Sequence, residues 1–123
     1  MLYAILCYDS EQVVGSWSKE HDDAVMHKLG VVQDQLERDG KLGPVARLSP
    51  TRAARTLRKQ QGTLVLDGPF AETKEQLLGF FVVDCASQDE ALEVARALGG
   101  ASASAGAFEV RPLTFYRHGS LQA

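Results

Sequence analysis

Three short stretches of this chain are apolar at nearly every position, and they constrain the fold more than any other feature. They are too short for core helices and rich in branched or aromatic residues, which indicates β-strands. Because successive strand side chains point to opposite faces, both faces of the predicted sheet are apolar and both must be covered. The stretches are Leu2-Tyr3-Ala4-Ile5-Leu6, Leu64-Val65-Leu66 and Phe80-Phe81-Val82-Val83.

Two helices are predicted to cover one of these faces. The first begins at Ser18, whose hydroxyl can cap free amides, and ends at Asp39-Gly40. The second follows Ser87, which forms the spacing of a capping box with Glu90, and it ends at Gly99-Gly100. The apolar stripe of the first helix consists of Val25, Leu29, Val32 and Leu36.

The remaining strands are predicted at residues 45–48, 56–59, 63–66, 79–85 and 108–116, and residues 9–18 and 101–106 read as irregular segments. The order strand, helix, strands, helix, strand indicates an α+β fold. We expect a ferredoxin-like antiparallel sheet with both helices on one face. The other face then lacks a cover. At about 25 cal/mol per Å² of apolar area, exposing that face to water would cost more free energy than the net stability of a domain of this size. We therefore predict a homodimer that pairs sheet against sheet.

Composition narrows the classes of partner. The net charge of -3 argues against general nucleic-acid binding, and no apolar run approaches the ~18 residues of a membrane span. We therefore expect a cytoplasmic protein that contacts no membrane. Cys7 and Cys85 lie in strand-like runs and read as small buried hydrophobes. The segment between Lys41 and Leu66 contains basic residues and no acidic ones, so it forms either a solvated basic edge or an anion-binding surface. The basic residues are Lys41, Arg47, Arg52, Arg55, Arg58 and Lys59.

Two charged segments carry a family resemblance: Asp67-Gly68-Pro69-Phe70-Ala71-Glu72-Thr73-Lys74-Glu75-Gln76-Leu77 and Glu109-Val110-Arg111-Pro112-Leu113. They closely resemble the YCII-related family, in particular the branch named after its Asp-Gly-Pro-Phe tetrapeptide. The resemblance implies one domain over residues 1–116, a tail over 117–123, and the dimeric α+β barrel, in which paired sheets enclose a cleft.

Asp67 and His21 are the candidate catalytic residues. Asp67 can accept amides within its own turn, with Phe70 plugging the core, or it can act in catalysis at the pocket that the resemblance implies beside the tetrapeptide. His21 falls at the edge of the apolar stripe of the first helix, where the helix dipole favours a neutral imidazole. It is either a general base or a first-turn residue without a role. Enzyme-like family members are similar in pairing a histidine near the first helix with an aspartate.

Three further residues are candidates for substrate binding. Lys74 can meet Glu72 or Asp67 at the rim of a cleft and position an anionic substrate, or the cluster can be merely solvated. Arg111 alternates outward with Glu109 and pairs with an acid across strands or clamps a substrate carboxylate. No motif for a metal, a nucleotide or another cofactor is present, so we predict none.

The sequence leaves the activity open between two functions. The first is a small-molecule enzyme, lyase-like or dehalogenase-like as some relatives are, which uses acid/base chemistry on a small acidic ligand in the dimer cleft. The second is a non-catalytic ligand-binding or regulatory module, since other relatives are encoded near extracytoplasmic-function sigma factors. A contact between nucleic acid and the basic segment is a third and weaker interpretation.

Overall fold

A computed structural model describes residues 1–62, 64–102 and 104–122 of the chain. The strands are β1 (Leu2–Asp9), β2 (Leu42–Arg47), β3 (Arg55–Arg58), β4 (Leu64–Asp67), β5 (Gln76–Asp84) and β6 (Ala107–Pro112). The α-helices are α1 (Glu11–Gly15), α2 (Lys19–Arg38) and α3 (Gln88–Gly99), and two short 3-10 turns cover Thr51–Ala53 and Lys59–Gln61. None of the helices in these ranges is long and apolar enough to cross a membrane.

The strands form one four-stranded antiparallel sheet in the order β2-β5-β1-β6 and one separate hairpin of β3 and β4. The first strand is central and pairs with β5 and β6. The α+β prediction is therefore confirmed, and the strand order is compatible with the ferredoxin-like layout. The hairpin is an insertion between the second and third strands of that layout.

The core lies between one face of the sheet and the two long helices. Alternation along β1 places Tyr3 and Ile5 in this core, together with Phe81 and Val83 of β5. On the opposite, outer face of the sheet, Leu2, Ala4, Leu6 and Phe80 are half-buried and Val82 is buried. The helices contribute Leu36, Ala91, Ala95 and Leu98 to the core.

The helix ends follow local chemistry that sequence can predict. The Ser18 hydroxyl accepts a hydrogen bond from the His21 amide at 3.0 Å, and Gly40 has a φ of 69°, the left-handed conformation expected after α2. At the start of α3 the Ser87 hydroxyl accepts from the Glu90 amide at 3.2 Å, as predicted. The reciprocal half of the capping box differs, because the Glu90 carboxylate accepts from the Ala86 amide at 2.8 Å.

Three predictions about the elements are wrong. The run Leu64-Val65-Leu66 was expected to be covered within the sheet, but it is exposed, because it forms β4 and pairs with β3 outside the four-stranded sheet. Two helices were expected, but α1 is a third: Ser10 caps it by accepting from the Val13 amide, and five residues are too few to display a helical period. The last strand ends at Pro112 instead of at residue 116, because its partner β1 begins at Leu2 and leaves nothing further to pair with. The predicted strand at 63–66 begins at Leu64 in the structure, and residue 63 lies outside the described part of the chain.

Glu90 also joins the start of α3 to the start of β2. Its carboxylate lies 2.5 Å from Lys41 Nζ, and this contact is the main reason that the pKa of Glu90 is lowered and that of Lys41 is raised. A carboxyl group with a depressed pKa in the folded state stabilises the fold above its unfolded pKa, and this stability is lost as pH falls through the folded value.

We therefore expect Glu90→Gln to flatten the pH dependence of stability at the acidic end. Urea denaturation between pH 7 and pH 3 should show wild-type stability falling more steeply than that of the variant below about pH 4.5, near the unfolded pKa of a glutamate. Glu37→Gln, an exposed glutamate of α2 outside the ion pairs of the described residues, is the matched control and should keep the wild-type slope. Parallel curves for wild type and Glu90→Gln would show that the Lys41 contact contributes nothing in solution.

Candidate functional site

A cavity of about 600 Å³ lies between the two long helices and the helix-facing side of the sheet. α2 and α3 make little contact with each other, so the sheet beneath them is left partly uncovered. The cavity is lined mainly by apolar side chains from all three layers. They include Val25, Met26 and Leu29 of α2, Leu92, Ala95 and Leu98 of α3, and Phe81 and Phe108 of the sheet.

An ion pair between α2 and β2 borders this cavity. The guanidinium of Arg47 donates to both carboxylate oxygens of Asp22, at 3.2 Å and 2.8 Å. The hydrogen bond with Arg47 lowers the pKa of Asp22, and the same bond raises the pKa of Arg47. Both residues line the cavity, so a bidentate ion pair forms part of its otherwise mainly apolar lining.

An aromatic residue and a thiol also line the cavity. Trp17, the one tryptophan of the chain, packs edge-on against His21, with 4.8 Å between the ring centroids. Burial raises the pKa of the Cys7 thiol to about 12, so it is protonated at neutral pH and is a poor nucleophile. Of the two cysteines, Cys85 is buried as predicted, whereas Cys7 is half-buried and faces the cavity.

The two candidate catalytic residues do not line this cavity. His21 is exposed, and its ring packs against Trp17, which lines the cavity. Asp67, at the end of β4, has a side chain 94% exposed and lies 3.6 Å from Arg55 across the hairpin. Neither residue lines this cavity or the second one, which lies beside the tetrapeptide, and the structure does not bring the two residues together at either cavity.

The tetrapeptide has the backbone role that its residues suggest. Gly68 has a φ of 104°, its amide donates to the Ala54 carbonyl at 2.8 Å, and its carbonyl accepts from the Thr56 hydroxyl at 2.9 Å. The expectation that Phe70 plugs the core is wrong. Its side chain is exposed, and the guanidinium of Arg58 stacks 4.9 Å from the ring centroid.

The predicted substrate-binding residues all lie on the surface. Lys74 and Glu72 are exposed, and the ion pairs of the described residues join neither of them to Asp67 or to each other. Arg111 lies opposite Ala4 on the outer face of the sheet and is exposed. The predicted outward alternation of Glu109 and Arg111 is confirmed, and Glu109 accepts a hydrogen bond from the Tyr8 hydroxyl at 3.3 Å.

A second cavity, also of about 600 Å³, lies beside the tetrapeptide. Pro69, Phe70 and Thr73 line it from one side, and Leu48 and Pro50 from the other. Its lining contains one ionisable side chain besides Tyr8, the carboxylate of Glu75. The first cavity therefore has the richer combination of apolar walls and placed charges. In the described part of the chain, no group of three or more His, Cys, Asp or Glu side chains could hold a metal ion.

The sequence did not reveal the residues that give this cavity its chemistry. Asp22 read as a helix-start acid and Arg47 as one of several bases in a basic run. Their partnership spans 25 residues of chain and depends on how α2 crosses β2, so no local pattern reports it. The single tryptophan near the helix start was the available signal, because aromatic residues are frequent in ligand pockets.

Comparison with known proteins identifies the relatives of the chain. Residues 1–116 match the family model described as the YCII-related domain. The chain belongs to the YCII-related family. It is also 61% identical over 122 residues to a protein of Rhizobium meliloti (strain 1021) named "Uncharacterized protein R00369", and the alignment covers 98% of each chain. This membership confirms the family resemblance of the two charged segments, while it leaves the reaction undetermined.

Proposed function

We propose that this YCII-related protein binds a small, mainly apolar molecule in the cavity between its long helices and its sheet. The observation that carries the proposal is the cavity itself: about 600 Å³, walled by aliphatic and aromatic side chains, with the Asp22–Arg47 pair and Trp17 in its lining. Pockets of about 300–1,000 Å³ with apolar walls and a few placed polar groups are the usual form of small-molecule sites.

Methyl NMR tests the proposal directly. The neutral probe 4-phenylbutyramide, titrated to millimolar concentration, should shift the methyl signals of Met26, Leu29 and Leu98, which line the cavity. The exposed Val31 and Leu121 do not line it, and their methyl signals should stay in place. Shifts confined to the exposed methyls, or no shift at all, would exclude this cavity as a binding site for such molecules.

A second candidate is an enzyme that uses acid/base chemistry at the same cavity. His21 supports it, because its ring lies against Trp17 and its neighbour Asp22 is part of the lining. In this proposal His21 handles the proton, and His21→Ala should lower kcat at least about 100-fold on whichever substrate is turned over. His27→Ala, an exposed histidine on the same helix, is the control. Equal kcat for His21→Ala and wild type would remove this role.

We also propose that two copies pair through the outer faces of their sheets, as in a dimeric α+β barrel. Leu2, Ala4 and Leu6 support pairing, because these apolar side chains are only half-buried and remain partly exposed to solvent in a single chain. Arg111 shares this face with Ala4, so pairing would place it in a cleft between the two sheets, apart from the cavity on the helix-facing side. The proposed roles of Asp67, Glu72 and Lys74 likewise require a partner surface, because their side chains are exposed in the single chain.

Light scattering at micromolar concentration tests the pairing. Wild type should have twice the 13.4 kDa mass of one chain, and Leu6→Lys should shift the particle toward a single chain. Leu121→Lys, at a position 97% exposed, should leave the mass unchanged. A folded wild-type particle of single-chain mass would end the dimer proposal.

We assign the chain to the branch named after the tetrapeptide Asp67-Gly68-Pro69-Phe70. The tetrapeptide and the charged segment that follows it support the assignment. A phylogeny of YCII-related sequences should group the chain with others that carry the tetrapeptide, even when residues 67–70 are left out of the alignment. Grouping with sequences that lack it would contradict the assignment.

A further inference from the structure

The cavity lining contains four charged side chains, and they differ in how they are engaged. Asp9 accepts a hydrogen bond from the Ser10 amide at 2.8 Å, next to α1. Arg96 pairs with Glu93 of its own helix, and Glu93 does not line the cavity. Among the ion pairs of the described residues, Asp22–Arg47 is the one whose two members both line the cavity.

The geometry of that pair indicates which ligand group it can recognise. The Arg47 guanidinium already holds a carboxylate through two N–H groups, so the position of Asp22 marks where a planar two-oxygen anion fits. The pair is partly solvated, with half of the Arg47 side chain and about a third of the Asp22 side chain exposed. A partly solvated ion pair is weak, and exchange of one carboxylate for another is therefore inexpensive.

The apolar walls give a ligand an advantage over Asp22 in binding Arg47. A ligand carboxylate attached to an apolar body gains the burial of that body against side chains such as Leu29 and Phe81, in addition to the fork on Arg47. An amine must share Asp22 with the Arg47 guanidinium and Asp9 with the Ser10 amide, and neither carboxylate offers it the two-bond fork that Arg47 offers an acid. The lining therefore favours an acid over an amine with the same body.

We propose that the cavity selects organic acids with a single carboxylate and a compact apolar body, and that this carboxylate binds Arg47 in exchange with Asp22. The inference rests on the proposed binding function and specifies the ligand class of the same site. Asp22 acts in it as an internal competitor that occupies the guanidinium while the cavity is empty of ligand.

Three probes with one shared body test this inference: 4-phenylbutyrate, 4-phenylbutyramide and 4-phenylbutylamine, titrated against the cavity methyl signals of the whole chain. Wild type should bind the acid at least about fivefold more tightly than the amide, and the amine most weakly, since charge-assisted bonds exceed neutral ones. Arg47→Gln should weaken acid binding about tenfold and leave amide binding within about twofold. Arg47→Lys, which keeps the charge but loses the fork, should be intermediate.

Asp22→Asn gives the sharpest result, because its expected sign is opposite to that of Arg47→Gln. Removing the internal competitor should tighten acid binding several-fold, whereas a residue that contacts the ligand would weaken it when changed. Arg52→Gln removes the same charge outside the lining of either cavity and should change acid binding less than twofold. Thermal unfolding of each variant verifies that it is folded.

The outcomes separate this inference from the proposed function. If the amide binds as tightly as the acid, or if Arg96→Gln abolishes the preference for the acid and Arg47→Gln does not, the inference falls and cavity binding stands. Tighter binding of the amine, or weaker acid binding by Asp22→Asn, also overturns it. If none of the three probes shifts the cavity methyls, the proposed function itself falls.

Discussion

Leu98→Ala should lower the free energy of unfolding by about 3–4 kcal/mol, within the range that fully buried Leu→Ala changes cost. Leu98 is 0% exposed and belongs to the core cluster beneath α3, which also contains Ile5 and Val83. The truncation removes buried apolar contacts. The space that it opens lies next to an existing cavity, so few neighbouring side chains are placed to move in and fill it.

Urea denaturation monitored by circular dichroism measures this loss, and Leu92→Ala is the matched control. Leu92 lies on the same helix and is 38% exposed, so its truncation should cost about 1 kcal/mol. Equal losses for the two variants would contradict the position of the core, because Leu98 is fully buried in it whereas Leu92, at the cavity, is partly exposed.

Gly79→Ala should destabilise the fold by about 2–3 kcal/mol, although it adds a single methyl group. A Cβ on Gly79 would lie 2.5 Å from the Ala46 carbonyl oxygen and 3.4 Å from the Arg47 Cα, both backbone atoms of the neighbouring strand β2. Backbone in a paired strand cannot turn aside as a flexible side chain can. β2 must therefore move away from β5, and Arg47 moves with it.

Gly30→Ala is the comparison, and its expected sign is opposite. Gly30 lies inside α2, and a Cβ there would meet no atom within 4 Å. Alanine in a helix interior is favoured over glycine by about 0.5–1 kcal/mol, so this variant should be more stable than wild type. Urea denaturation of both variants measures the contrast. A Gly79→Ala protein as stable as wild type would contradict the close approach of β2 and β5.

Local chemistry determined the elements of this fold in advance. The apolar runs placed β1 and β5, the hydroxyls of Ser18 and Ser87 marked where α2 and α3 begin, and Gly40 marked where α2 ends. Each of these signals acts over a few residues, because a cap or a turn involves only neighbouring backbone atoms. The short helix α1 escaped prediction since five residues show no period.

The same local signals did not predict which side chains face a cavity. The sequence directed attention to Asp67 and to Phe70, yet both side chains are exposed on or beside the hairpin. Whether a turn aspartate faces a pocket or solvent depends on which way the hairpin leans, and no residue within the turn encodes that direction. The tetrapeptide could be recognised in the sequence without knowing where its side chains point, and the structure gives Gly68 a backbone role in the turn.

The sequence by itself determined where most strands and both long helices lie along the chain, the α+β class and the family, because propensity, caps and alternating burial are properties of neighbouring residues. Only the tertiary structure decided that α2 and α3 stand apart over the sheet, and that Arg47 meets Asp22 at the cavity between them. The physical reason is distance along the chain: helix spacing and ion pairing are set by packing between elements tens of residues apart, and a small change in crossing would separate the same two charges.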